Sequence, residues 1–254
     1  MQYFVNSDSI VRKIWGKSDT ILFIFAGAAA EFALNKAVDW LYFTGRLPSD
    51  PIGRLFSTVR YARSIVFSTT EAANEAIETI SKIHKGVEKS RGYSIPDWAY
   101  RDVLFMLIHY SIAAYELLEK KLNDTEKEEV YNVFVRVGDR MGLKELPRDY
   151  KKWLPVRAAH LENDLTKSEY TIDLFNQYRK QLGNTRYSLL IEAQKLVVPV
   201  IVKNYMGFSN IQWLAPGVPL YKISRLVRLD NVVKTLLLPK EYREQINALN
   251  VVNE

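Results

Sequence analysis

A chain of 254 residues that is 48 % apolar and 25 % charged can bury a large core, which excludes disorder as its main state. It contains no cysteine, so disulfides, thiolate metal centres, iron–sulfur clusters and CxxCH heme attachment are excluded. The net charge of +6 is spread along the chain, and its densest basic runs, 82–91 and 148–157, are broken by acids or lie on amphipathic stretches. A solvated basic surface is therefore expected, with no nucleic-acid partner.

The first residues, Met1 to Asn6, lack the charged-then-apolar build of a secretory leader. The most apolar early run, Ile21 to Ala30, ends at Glu31 and falls short of the roughly 20 residues a bilayer span needs. Cytoplasmic residence without integral membrane association is the expectation. Only 11 glycines and 9 prolines punctuate the chain, which favours long helices over a many-turned sheet.

Helix signals then follow in order. Asp50-Pro51 reads as an N-cap and first-turn proline opening a helix through about Phe67. Ser68-Thr69-Thr70-Glu71 reads as a capping box. Its helix carries Ala73, Ala76/Ile77, Ile80, Ile83/His84 and Val87 on one stripe and stops near Gly92. Pro96-Asp97 starts another, apolar nearly all round from Val103 to Leu118, as a central buried helix must be. Thr125 and Glu128 have the spacing of a second capping box, for a helix ending at Gly142. Amphipathic segments follow at about 147–163, 168–182, 186–206, 218–237 and 239–248, with Pro199 expected to kink or break the third. The reading is a single all-α globular domain over 1–254, with roughly eight to ten helices around a buried central one.

Phosphate-binding glycine loops, HExxH, Glu-x-x-His pairs and the GxSxG elbow are all missing. Three histidines remain. His84 sits on the apolar stripe of its helix, and His109 lies inside the most apolar helix beside Phe105 and Ile112. Each is either a core histidine bonded to backbone or to nearby Tyr and Ser, or a ligand. His160, near Arg157 and Glu162, reads as an ordinary exposed histidine. Arg54 and Thr58 are four apart on one helix face, with Tyr61 next along it. They set a guanidinium beside a hydroxyl, which suits an anion or an oxygen species; the alternative is a surface Arg with a core-facing Thr.

The ordered set Asp50-Pro51-Ile52-Gly53-Arg54-Leu55 with Thr58, Val66-Phe67, and Ile83-His84-Lys85-Gly86-Val87 resembles the rubber-oxygenase catalytic-domain family. That family includes latex clearing protein and the ER-bound oxygenase of mycophenolic acid biosynthesis. Ile108-His109, Ala114-Tyr115-Glu116, Tyr131, Val137-Gly138, Met141-Gly142-Leu143 and Leu238 to Glu244 extend the likeness over about 23–245. The resemblance implies an all-α fold, heme b and dioxygen-dependent cleavage of carbon–carbon double bonds in an apolar, isoprenoid substrate. It makes His84, in the HxxV element, the iron ligand, with the porphyrin against Ile80, Ile83 and Val87. It places Arg54 and Thr58 on the distal or propionate side and His109 at or behind the pocket. Where many members read Gln-Leu-Ala-His-Pro, this chain has Phe32-Ala33-Leu34-Asn35-Lys36, so Asn35 is left as the group that would hydrogen-bond bound oxygen. Ser57 stands where a basic residue is common. A non-catalytic relative that binds an apolar ligand, or a heme sensor or carrier, is the alternative.

Overall fold

In the computed structural model, residues 2–45 and 49–226 are described, and their helices follow in order. They are α1 (Ile10–Trp15), α2 (Ser18–Leu34), α3 (Asp39–Phe43), α4 (Pro51–Val66), α5 (Thr70–Arg91) and α6 (Asp97–Leu118). Then come α7 (Asp124–Met141), α8 (Tyr150–Asn163), α9 (Glu169–Val197), α10 (Val200–Met206) and α11 (Gly217–Leu226). Among the described residues the only extended pairing is two isolated bridges, Tyr3 with Thr69 and Asn35 with Leu165. The all-α expectation holds. The segment expected at 239–248, most of that at 218–237 and the Leu238–Glu244 match lie outside the described residues.

Most boundaries fall where the punctuation puts them, with shifts at the caps. Asp50 Oδ1 accepts from the Gly53 amide at 2.9 Å, and Pro51 occupies the first turn. At α5 the cap is Thr69, not Ser68: Thr69 Oγ1 accepts from Ala72 N, while the Ser68 carbonyl is taken by Phe4 N. At α7 the capping box is Asn123 with Glu126 rather than Thr125 with Glu128. Glu128 instead accepts from Tyr150 N at 3.0 Å and ties the start of α8 to α7. The two segments expected on either side of residue 184 meet within α9 at Gly183, whose backbone (φ 71°, ψ 167°) is not helical and divides the element into two helical stretches. Pro199, with no amide hydrogen to donate, breaks the chain between α9 and α10.

The expected central helix is α6, and α2 shares the centre with it. α2 and α6 run antiparallel, joined by the Tyr110–Glu31 and Asn35–Asp102 hydrogen bonds, while Trp15 at the end of α1 bonds Ser111 of α6. Ile21, Ile24, Ala29, Ala30, Ala33 and Leu34 of α2 and Phe105, Ile108 and Ala114 of α6 are at most 2 % exposed. Burying each large aliphatic or aromatic side chain contributes about 1.5–3 kcal/mol before entropy is counted. The small residues of α2 let α6 and α9 approach closely: a Cβ on Gly27 would stand 2.3 Å from the Tyr110 ring and 2.9 Å from Val197 Cγ2. α4 and α5 form a hairpin that packs on α1, α7 and α9, and α8 reaches the centre through Trp153, which meets Phe105 edge to face.

Candidate functional site

The α4–α5 hairpin turns at residues 67–69, so α4 runs toward the turn and α5 away from it. Arg54 and His84 lie nearly equal numbers of residues from that turn, which brings them opposite each other. The stripe on α5 begins with Ala73 and Ile77, both fully buried, and continues through partly buried Ile80 to His84 and Val87. Ile83 is turned outward and is 42 % exposed, so the apolar wall expected from Ile80, Ile83 and Val87 consists of Ile80 and Val87. The helical rotation between Ile83 and His84 sets them on different faces.

His84 is half-buried, with its ring 5.1 Å from that of Tyr100. Its Nδ1 is buried and has no hydrogen-bond partner among the described residues. Burial, and after it the positive charge of Arg54, hold this imidazole below the ordinary histidine range, with Glu88 pulling the other way. A neutral ring with an unbonded nitrogen is the form that ligates a metal. Glu88, one turn on, fixes the neighbouring wall: its Oε1 accepts from Ile95 N at 2.8 Å and from the Tyr100 hydroxyl at 3.3 Å. Thr58 stands one turn beyond Arg54, and its hydroxyl donates to the Arg54 carbonyl at 3.2 Å, as that of Ser57 does at 2.8 Å. Arg54, Thr58 and His84 are thus gathered on one hairpin.

His109 and Asn35 belong to other neighbourhoods. His109 donates to the Val197 backbone carbonyl, and burial with the nearby Arg157 charge drives its pKa down to about 3. Beside it is a buried polar knot: Arg157 Nη2 and the Tyr110 hydroxyl both reach Glu31 Oε2, at 2.5 and 2.8 Å. Asn35 is 2 % exposed at the end of α2, and its amide is engaged. Its Oδ1 accepts from Ala37 N at 2.8 Å and its Nδ2 donates to Asp102 Oδ2 at 2.6 Å. None of its bonds goes to Arg54, Thr58 or His84.

His160 is not an ordinary exposed residue. Its side chain is 12 % exposed and its Nδ1 meets both Asp102 and Asp164. The i,i+4 spacing of His160 and Asp164 was readable as a helical pair. Asp102, Glu31 and Arg157 carried no local signal, because their partners lie far away along the chain.

The family model described as ER-bound oxygenase mpaB/B′/rubber oxygenase, catalytic domain, matches residues 13–248. No curated protein and no solved structure matches.

Proposed function

The chain belongs to this family of oxygenase catalytic domains, and from that premise we propose that it is a heme b-dependent oxygenase that uses dioxygen on an apolar, isoprenoid-like substrate. The observation that carries this reading is the buried, unpartnered Nδ1 of a neutral imidazole at His84, facing the Arg54 guanidinium across the hairpin. When bound, heme supplies the iron at which dioxygen is activated.

The chain's own residues supply the rest. His84 offers the ligand nitrogen, and Ile80 and Val87 give the porphyrin an apolar floor. Tyr100, held by Glu88, packs on the imidazole and limits its rotation. Arg54 presents a fixed positive charge suited to a propionate or to an oxygen-derived anion. Thr58 keeps its lone pairs free to accept while its hydrogen is held by its own helix. His109, locked on Val197 beside Arg157, lies away from the hairpin and holds the core behind it. In this reading Asn35 braces Asp102, and the hydrogen bond to oxygen falls to Arg54.

A heme carrier or sensor without turnover is the second reading. It is favoured by the hydroxyls of Ser57 and Thr58, which both donate to one backbone carbonyl.

Heme titration followed by visible spectroscopy tests the proposal. The wild-type chain should bind one heme with a Soret band, and His84→Ala should lose it while keeping its far-ultraviolet circular dichroism. Arg54→Ala should keep heme but slow oxygen consumption, or loosen heme if Arg54 pairs with a propionate. A heme-loaded protein that consumes no oxygen with any polyisoprenoid supports the carrier. A wild type that binds no heme, or a His84 variant with an unchanged spectrum, ends both readings.

A further inference from the structure

Away from the hairpin, three side chains from two helices converge. Asp102 comes from the second turn of α6, His160 from the last turn of α8, and Asp164 from the residue that caps α8. His160 Nδ1 is in contact with Asp102 Oδ1 and lies 3.0 Å from Asp164 Oδ2. The three donor atoms all fall within 4.8 Å of one another. Asp102 is 2 % exposed, and the side chains of His160 and Asp164 are 12 % and 20 % exposed, so the group is buried on one side and reachable from the other.

Two carboxylates share one nitrogen of His160. A single imidazole nitrogen carries at most one hydrogen, yet two carboxylates are directed at it. The cations nearby point elsewhere. Lys36 Nζ is bonded to the Asn163 carbonyl at 2.5 Å. Arg101 Nη1 is bonded to the Lys144 carbonyl and to Glu145, and Arg157 to Glu31.

The frame is also built as a ligand set is built. Asn35 Nδ2 holds the outer oxygen of Asp102 and leaves Oδ1 turned toward the imidazole. The edge of Phe105 fixes the His160 ring, with centroids 5.3 Å apart. The Asp164 backbone is pinned at both ends, its amide on the His160 carbonyl and its carbonyl accepting from Lys36 N. Such outer contacts orient metal ligands and hold their spacing.

We propose that Asp102, His160 and Asp164 form a binding site for one divalent first-row transition cation. One nitrogen and two carboxylate oxygens suit zinc, manganese or iron(II), whose bonds of about 2.0–2.2 Å require donor atoms roughly 3.0–3.5 Å apart. His160 Nδ1 and Asp164 Oδ2, 3.0 Å apart, already stand at that spacing, and Asp102 Oδ1 would draw back from the imidazole to reach it. Water would complete the coordination from the exposed side.

The test is a calorimetric titration of the full chain with Zn²⁺ after chelator treatment and without added heme. The wild type should bind one equivalent with a micromolar or tighter dissociation constant. Asp164→Asn, on the partly exposed rim, should weaken binding at least about tenfold, and His160→Ala should abolish it. His84→Ala should bind Zn²⁺ as the wild type does, which separates this site from the hairpin histidine. Absence of saturable binding to the wild type overturns the proposal. So does binding that survives Asp164→Asn and His160→Ala, or that disappears in His84→Ala.

Discussion

Gly27 on α2 lies directly beneath the Tyr110 ring on α6, and a Cβ placed there would stand 2.3 Å from Tyr110 Cδ1. Alanine at this position would gain about 1 kcal/mol of helix propensity. It would also force apart two helices whose ring is anchored by a hydrogen bond to Glu31, at an overpacking cost of about 1–3 kcal/mol. Gly27→Ala is therefore expected to lower stability by up to about 2 kcal/mol, read as a lower urea midpoint at unchanged slope. A neutral or raised midpoint would show that α2 and α6 can move apart freely.

The Glu31–Arg157 pair is buried, with side chains 1 % and 5 % exposed. Removing one partner leaves a charge in the core, so Arg157→Met should cost about 3–5 kcal/mol. Adding Glu31→Gln to that variant should recover a large part of the loss, because the residual charge disappears. Urea denaturation of the two single variants and the double variant measures this. Losses that simply add would mean that the pair is not coupled.

His109 is neutral in the fold, its pKa lowered to about 3 mainly by burial. The unfolded chain takes up this proton near pH 6.5, so the contribution is complete above that pH. It shrinks as the pH falls from about 6.5 toward 3, by at most about 1.4 kcal/mol per unit. Stability curves between pH 7.5 and 5 should be steeper for the wild type than for His109→Gln. Parallel curves would place the acid sensitivity in the carboxylates instead.

Two cap positions separate readings of the chain. Asn123→Ala should cost about 1 kcal/mol by removing the acceptor for Glu126 N, whereas exposed Thr125→Ala should change stability by less than about 0.5 kcal/mol. Thermal melts of the pair decide between them.

The helices and their order were readable because the apolar stripes and the Pro and Gly stops act locally. Pro51, Gly92, Pro96, Gly142 and Pro199 all mark observed boundaries. The caps slipped by one or two residues because Ser68, Thr69, Asn123 and Thr125 offer similar side chains, and tertiary bonds such as Phe4 N to Ser68 O decide among them. The pairing of Arg54 with Thr58 was legible from spacing, and the family resemblance added His84 to it. The roles of Asn35 and His160 were not, since each depends on Asp102, which reaches them only after α2 and α8 have docked on α6.

The short bridge between Tyr3 and Thr69 has a mechanical meaning. Phe4 N bonds Ser68 O, and Thr70 N bonds Gln2 O, so the first residues clasp the tip of the α4–α5 hairpin. Any splaying of the two helices must pivot at that clasp. Its amplitude grows with distance along the arms and is largest near their far ends, where Arg54 and His84 face each other roughly four turns away. The hairpin has the geometry of tongs hinged at the tip: a splay of about 5° at the clasp would separate the helices by about 2 Å at the imidazole, roughly 20 Å away.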